Sequence, residues 1–365
     1  MHPQAPYFHA FNLFNERIGP ARFKKIIDHF GSAEYAWKEG SASDFIESGL
    51  EEDLSREIVL KRSQMDLGLE LKKLEKEDIK ILTILDEEYP KLLKQIYSPP
   101  YILYIKGSFK PEDEFALAIV GTRRLSMYGK QAAIMIAREI SQAGMTIVSG
   151  LAQGIDTLAH LAAVENKSRT IAVIGSGIDW QSVFPPGNKR LAQMIIQNGA
   201  LISEYPPSAA ALKHHFPARN RIVSGLALGT LVVEAPEKSG ALLTARHALD
   251  QNREVFAIPG PIFSETSLGP NNLIKIGAKL VTQTADILDE LNLRDLAQNI
   301  TAKQILPDTK EEAAIIAILS QEPVTIDKII QETKMDTALT TSTLVLMEMK
   351  GKVKNLGGMQ YVLAR

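Results

Sequence analysis

Residues 213–234 read KHHFPARNRIVSGLALGTLVVE, and this stretch shows most clearly how the chain folds. Its hydrophobic pattern predicts a helix over 217–225 and then a buried strand over 230–235. A strand this apolar must be covered on both faces, which is typical of a parallel sheet between two layers of helices. The stretch therefore predicts an α/β fold.

The same stretch begins with a dense group of cations. Five of its first nine residues are basic or histidine, namely Lys213, His214, His215, Arg219 and Arg221. No Asp or Glu lies between Glu204 and Glu234. Because helix N-termini favour anions, these cations predict a phosphate-binding site in which Phe216 offers a flat surface to a base. A solvated basic loop before a core helix, with Phe216 inside the core, is the plainer interpretation.

Apolar runs of strand length recur on both sides of this stretch, with helical patterns between them. The further predicted strands are 80–85, 101–105, 115–120, 146–148, 170–174, 200–202, 255–258 and 279–281. Buried strands that alternate with helices predict an extended Rossmann-like parallel sheet. Ligands of such sheets bind at the carboxyl ends of the strands, where the glycines of this sequence cluster.

The flanks of the sheet suggest further domains. We divide the chain into a small N-terminal helical domain of the SAM or helix-hairpin kind (1–75), the Rossmann-like core (76–294), a polar linker (295–310) and a C-terminal winged-helix-like domain (311–365). The N-terminal pattern predicts one long helix over 51–75. In the C-terminal domain only Lys350, Lys352 and Lys354 cluster, and acids balance the other cations, so a protein-contact or structural role fits at least as well as duplex binding.

The composition bounds the class of protein. The chain has 365 residues, of which 45% are hydrophobic, and its formal net charge is −2. Because the net charge is slightly negative, any nucleic-acid site must come from locally segregated positive charge. The absence of cysteine excludes disulfides, thiolate catalysis and cysteine metal sites. No signal peptide, membrane-spanning run, cofactor motif or metal-ligand cluster is recognisable, so we expect a cytoplasmic protein without a cofactor or metal.

The first strand-end turn, AIVGTRRLSMYGK over 118–130, is a candidate anion site. It contains no G-x-G-x-x-G, and Arg124 stands six positions before Lys130, where a phosphate-binding P-loop requires glycine. Arg123, Arg124 and Ser126 instead offer two cations and a hydroxyl at the start of a helix. Arginines paired with carboxylates elsewhere would produce the same sequence.

The second turn, VSGLAQGIDTLAH over 148–160, is rich in small residues. Gly150 and Gly154 let the backbone approach a ligand closely. Asp156 is predicted to cap the helix that follows, and His160 to pack inside it.

The third turn, VIGSGIDWQSVFPPGN over 173–188, repeats this character, and Phe184 is a candidate for the core. The strand-end turns contain small residues and cations but no acid–base pair. This pattern indicates a binding groove rather than a reaction centre. A single-stranded polynucleotide needs such a track of charge with flat surfaces for its bases. We therefore predict a DNA-binding protein without catalytic residues.

These motifs resemble those of the DNA-processing protein A family, also called DprA or Smf. The resemblance is carried by VGTRRLSMYG, SGLAQGID with a later AH, KHHFPARNRIVSGL, VVEA with SGALLTA, and VFAIPG followed by GPNNLI, and it covers 117–291 densely. It implies a Rossmann-like core between a small helical domain and a winged-helix-like domain.

The resemblance also implies a function. It implies a cytoplasmic homodimer, which we expect to form through the Rossmann-like core, that binds single-stranded DNA during natural transformation. Such a protein protects the incoming strand and loads the RecA recombinase onto it, without catalysing a reaction. Carried over by position, the DNA pocket uses Arg123 or its neighbour Arg124, Lys213 and Phe216, with Arg219, Asn220 and Arg221 from the same motif.

Two other interpretations stay open. Gly229-Thr230 before a strand that ends in Glu234 resembles the Rossmann-type phosphoribohydrolases, although Ala227 and Leu228 stand here in place of their glycines. A scaffold whose flanking domains bind proteins and whose sheet forms the core of a dimer would also fit. Release of base from nucleoside monophosphates would favour the enzyme, and failure to retain single strands at low salt would favour the scaffold.

Overall fold

The computed structural model describes residues 2–14, 17–293, 307–319, 323–350 and 352–363. The chain forms two compact units, Met1–Ala297 and Gln298–Arg365. Most of the predicted linker, up to residue 306, lies outside the described residues.

The first unit is built on a nine-stranded sheet, which confirms the predicted fold class. Its strands are β1 (Lys80–Thr83), β2 (Ile102–Gly107), β3 (Ala116–Val120), β4 (Thr146–Ser149), β5 (Thr170–Ile174), β6 (Ala200–Ser203), β7 (Gly229–Val232), β8 (Glu254–Ala257) and β9 (Lys279–Leu280). They lie in the order β1-β2-β6-β5-β4-β3-β7-β8-β9. The pairs β1/β2 and β2/β6 are antiparallel, and the seven strands from β6 to β9 in this order are parallel to one another.

Helices cover both faces of this sheet. They are α1 (Ala5–Asn12), α2 (Pro20–Phe30), α3 (Ala33–Glu39), α4 (Ala42–Glu47), α5 (Glu52–Gln64), α6 (Leu67–Lys76), α7 (Lys91–Lys94), α8 (Met127–Gln142), α9 (Ile155–Glu165), α10 (Lys189–Ile195), α11 (His215–Gly225), α12 (Gly240–Asp250), α13 (Leu268–Lys275) and α14 (Thr284–Glu290). Strand β5 shows the two faces directly, since Ala172 and Ile174 join one hydrophobic core and Ile171 and Val173 the other. Such burial on both faces explains why these strands read as continuous apolar runs.

The six N-terminal helices pack on one of these faces. Phe8 and Phe11 of α1 lie in the same buried core as Tyr104 of β2 and Leu201 of β6. The predicted domain boundary at residue 75 stays a prediction.

The expected long helix over 51–75 is wrong. The structure ends α5 at Gln64 and begins α6 at Leu67, and the Asp66 side chain accepts hydrogen bonds from the amides of Gly68 and Leu69. An aspartate in this position is an N-cap, and it satisfies amides that have no partner inside the helix. The charged residues around Asp66 are compatible with a continuous helix, so the sequence pattern did not indicate this break.

The second unit has the winged-helix arrangement that the sequence predicted. Its helices are Lys310–Ile318, Ile326–Thr333 and Thr337–Met349, and its strands Val324–Thr325, Val353–Gly357 and Gln360–Leu363 form one antiparallel sheet. The amino group of Lys350 lies 2.8 Å from both Asp308 and Glu312, and Lys352 pairs with the same two carboxylates. Two of the three clustered lysines are therefore neutralised within the unit.

Candidate nucleic-acid interface

A cavity of about 180 Å³ lies where the predicted strand-end turns meet, beyond the carboxyl ends of β3, β4 and β5. Four of the predicted site residues line it: Arg123, Gly150, Phe216 and Arg219. They come from three separate segments of the chain. The parallel sheet brings these segments together because the carboxyl ends of its strands lie at one edge.

The turn after β3 is held in place by a buried glutamate. Glu234, only 2% exposed, follows β7, and its backbone oxygen accepts a hydrogen bond from the Thr122 amide at 2.7 Å. Its carboxylate accepts from the Ser126 amide at 2.9 Å and from the Ser126 hydroxyl at 2.6 Å. The Ser126 hydroxyl also caps α8 by accepting from the Gly129 amide at 3.0 Å. Ser126 thus shapes the turn that carries Arg123.

Sequence patterns assigned no role to Glu234 beyond the comparison with phosphoribohydrolases. A third donor, the hydroxyl of Thr266, reaches the same carboxylate at 2.9 Å. The sequence did contain a signal for this role, since Glu234 stands at the end of an otherwise apolar strand. A charge buried in that position requires hydrogen-bond partners.

Arg123 and Arg124 on this turn are both exposed, as is Lys213 two residues before α11. None of the three forms an ion pair with a residue that the structure describes. Arg123 extends over the ring of Phe216, with 5.9 Å from its Cζ to the ring centroid. Arg124 and Lys213 do not line the cavity.

Phe216 does not belong to the core. It is half-buried, and its ring lies 5.7 Å from that of Phe184 at an interplanar angle of 48°. Phe184 is 40% exposed, so the prediction of a core residue is wrong for it. The two rings form an aromatic wall of the cavity, and aromatic faces of this kind stack with bases. The sequence missed Phe184 because its loop has no periodic pattern.

Arg219 lies deeper, only 5% exposed, with its guanidinium against Gly150. A Cβ atom at Gly150 would stand 1.5 Å from its Nη1, so this glycine makes room for a protein side chain. The Nε of Arg219 has no hydrogen-bond partner in the described part of the chain. Gly154 has a φ of +90°, and a Cβ there would lie 2.3 Å from the oxygen of Thr122.

The charges beneath the cavity are unevenly balanced. Burial lowers the pKa of Arg219 to about 10; the carboxylate of Asp156 opposes this shift, and the positive charge of Arg123 adds to it. Burial also raises the pKa of Asp156, and Arg219 opposes that shift. Two cations close enough to disfavour each other face one cavity, which is an arrangement that an anion stabilises.

Asp156 has a different role from the predicted one. Helix α9 begins after Gly154 without a side-chain cap, and the Asp156 carboxylate accepts from the amides of Gly150 at 3.1 Å and Ala152 at 3.4 Å. It therefore holds the second turn. His160 is fully buried with its Nδ1 2.7 Å from the Thr170 hydroxyl, which confirms the packed histidine.

Two of the predicted residues turn away from the cavity. Arg221 donates to the Glu204 carboxylate at 2.6 Å and to the Ser98 carbonyl at 3.0 Å. Asn220 donates to the carbonyl of Gly240 at 3.1 Å, at the start of α12. Their side chains join α11 to neighbouring segments.

The comparisons with known proteins show which family the chain belongs to. The family model of DNA recombination-mediator protein A matches residues 80–292, and that of the DprA winged helix domain matches residues 301–359. The Smf protein of Synechocystis is 32% identical over 94% of this chain and 95% of its own length. The chain belongs to the DNA recombination-mediator protein A family.

Two solved structures of the family resemble this chain in fold. The DNA processing protein A of Streptococcus pneumoniae superposes with a TM-score of 0.66 at 36% identity, over 78% of this chain and 97% of that one. That of Helicobacter pylori, described for its single-stranded DNA binding mode, gives a TM-score of 0.53 at 33% identity, over 60% of this chain and 96% of that one.

The described ranges offer neither a membrane span nor a metal cluster. None of the helices there is both long and apolar enough to cross a bilayer. No group of three or more His, Asp or Glu side chains in the same ranges is arranged to hold a metal ion.

Proposed function

We propose that this protein binds single-stranded DNA at the cavity between Arg123, Phe216 and Arg219. It does so during natural transformation, where it protects the incoming strand and loads the RecA recombinase onto it. We further propose that it acts in the cytoplasm as a homodimer joined through the Rossmann-like core, and that it catalyses no reaction. The strand-binding mode described for the Helicobacter pylori relative supports the choice of ligand.

The observation that carries this proposal is the pair of cations facing one cavity. Burial lowers the pKa of Arg219, the positive charge of Arg123 lowers it further against the opposing effect of Asp156, and neither arginine has an ion-pair partner in the described residues. A phosphate group between them would relieve this repulsion. Because the electrostatic interaction strengthens as water is excluded, buried Arg219 should bind a phosphate more strongly than a surface lysine would.

The aromatic wall explains a preference for single strands. The rings of Phe184 and Phe216 stand beside the cationic pair, 5.7 Å apart. An unpaired base can turn its face to them, whereas the bases of a duplex are stacked on each other. Because every base has a flat face, binding should tolerate different sequences.

The experiment compares labelled oligo-dT with a duplex of equal length by fluorescence anisotropy across a range of salt concentrations. We expect tight, salt-dependent binding of the single strand only. The variant Arg123→Ala with Lys213→Ala should flatten the plot of log affinity against log salt by roughly 0.7 for each phosphate that it no longer neutralises. Arg56→Ala with Lys72→Ala, on exposed positions of α5 and α6, removes the same charge and should leave the slope unchanged.

Equal affinity of the wild type and the Arg123/Lys213 variant at moderate salt would refute the location of the site. Release of base from nucleoside monophosphates at enzymatic rates would refute the absence of catalysis. Sedimentation of the full chain tests the homodimer, and formation of RecA filaments on strands coated with a single-strand-binding protein tests the loading step.

A further inference from the structure

A second and larger cavity, of about 510 Å³, lies on the other side of α11 from the first. Helices α1 and α2 form one of its walls, and Glu204, Tyr205 and the start of α11 form the other. Its volume falls in the range of cavities that hold organic ligands, which is roughly 300–1,000 Å³. The function proposed above assigns nothing to it, and the inference drawn from it rests on that function.

The walls of this cavity carry aromatic rings. The Tyr205 ring stacks on that of His215 with centroids 3.8 Å apart and an interplanar angle of 19°. Opposite, the Tyr101 ring lies 4.5 Å from that of Phe23. The Tyr101 hydroxyl is protonated at neutral pH, as tyrosine normally is, and burial raises its pKa further to about 12. Flat apolar surfaces with a few polar groups suit a heteroaromatic ring.

The polar floor is built around a closed ion pair. The guanidinium of Arg221 and the carboxylate of Glu204 are 2.6 Å apart, and both side chains are 13% exposed. Asn12 donates to the Glu204 backbone oxygen at 2.9 Å. Among the described residues that line the cavity, Arg221 carries the only guanidinium, and the Glu204 carboxylate beside it would repel a phosphate. The floor therefore suits an uncharged base better than a phosphate.

The start of α11 connects the two cavities. Phe216 lines the first one and its neighbour His215 lines the second, while Lys213 and His214 are exposed just before them. A helix with its side chains is roughly 10–12 Å across, and a stacked strand advances about 3.4 Å per nucleotide. About three nucleotides would therefore span the distance.

We propose that the second cavity takes a nucleobase of the same DNA strand, about three nucleotides from the base at Phe216. The backbone between the two bases passes the exposed Lys213, so the strand wraps around the start of α11. The N-terminal helices then contribute one wall of the DNA site.

The first test fills this cavity. Ala218 is exposed and lines the second cavity but not the first. In the full chain, Ala218→Trp should weaken binding of a 20-nucleotide oligo-dT by about fivefold or more, the loss expected for one stacked base. Ala218→Ser, which leaves the cavity open, should bind as the wild type does.

The second test uses the wild-type protein, so it does not depend on how a variant folds. Oligo-dT with one 4-thiothymidine at successive positions is crosslinked by light, and the modified peptides are mapped by mass spectrometry. Because oligo-dT can bind in several registers, we expect the modified positions to give crosslinks both at Phe184 or Phe216 and at Tyr101 or Tyr205.

The outcomes separate the two proposals. Absence of oligonucleotide binding by the wild type would overturn the proposed function. Normal binding by Ala218→Trp, or crosslinks confined to Phe184 and Phe216 while Arg123→Ala still weakens binding, would overturn only the second cavity.

Discussion

Gly150→Ala tests whether buried Arg219 binds DNA. The new Cβ atom would stand 1.5 Å from Nη1 and 2.4 Å from Cζ of Arg219. Ordinary contacts to a Cβ atom are 3.4–4 Å, so the guanidinium must move by about 2 Å. The backbone at Gly150 does not need a positive φ, so alanine itself adds no strain there.

The displacement should cost one charge-assisted hydrogen bond to phosphate. Such a bond contributes about 1.5–3 kcal/mol, which corresponds to roughly a 10- to 150-fold loss of affinity for oligo-dT. The matched control is Gly187→Ala, because Gly187 lines the same cavity but an added Cβ would have nothing within 4 Å. We expect that control to bind normally.

A double-mutant cycle assigns the effect to Arg219. In an Arg219→Ala background, Gly150→Ala should cost no further affinity, because the side chain that it displaces is absent. Anisotropy titrations at one fixed salt concentration, with thermal melting to verify folding, provide the data. Independent, additive losses from the two changes would refute the reasoning.

Three further predictions concern single side chains of the first unit. Burial lowers the pKa of His160 to about 3, so below pH 6.5 the unfolded state binds a proton that the folded state does not. The free energy of unfolding should therefore fall by about 2 kcal/mol from pH 7 to pH 5 because of this residue. In urea titrations, His160→Gln should abolish this part of the pH dependence. Arg221→Met leaves the carboxylate of Glu204 without its partner and should destabilise the protein by about 3 kcal/mol, mostly recovered when Glu204→Gln is added, as measured by chemical denaturation. Phe184→Ala should weaken oligo-dT binding by roughly 5- to 150-fold in anisotropy titrations with little change in melting temperature, because its ring is 40% exposed.

The sequence predicted the sheet well because its strands are buried on both faces. Strand β5, at Thr170–Ile174, matches its predicted bounds, and β4 and β6 each extend one residue further. The small residues of the strand-end turns also indicated where the cavity lies. These features depend on local patterns of apolar residues and glycine, which a single sequence displays.

The roles of the two arginines in the central motif could not be separated in this way. The sequence placed Arg219 and Arg221 together as one cationic group. Two positions along a helix, however, correspond to a rotation of roughly 200°, so the two side chains lie on nearly opposite sides. Both residues lie inside the predicted helix over 217–225 and inside α11, but which side of the helix faces the cavity depends on how α11 packs against the sheet. One arginine therefore faces the first cavity, and the other pairs with Glu204.

Contacts between distant segments were also beyond the sequence. Phe184 reaches Phe216 across 32 positions, and Ser126 reaches Glu234 across 108. Neither pair has a periodic signal, because each depends on how the sheet places its loops.

The attachment of the Arg123 turn to Glu234 has a consequence for kinetics. A loop whose backbone is already fixed on both sides of its arginine has little freedom to lose when a ligand arrives, so association should be governed by diffusion and charge rather than by rearrangement. Capture of a passing strand would then be fast and sensitive to ionic strength, while the lifetime of the complex would be determined inside the cavity.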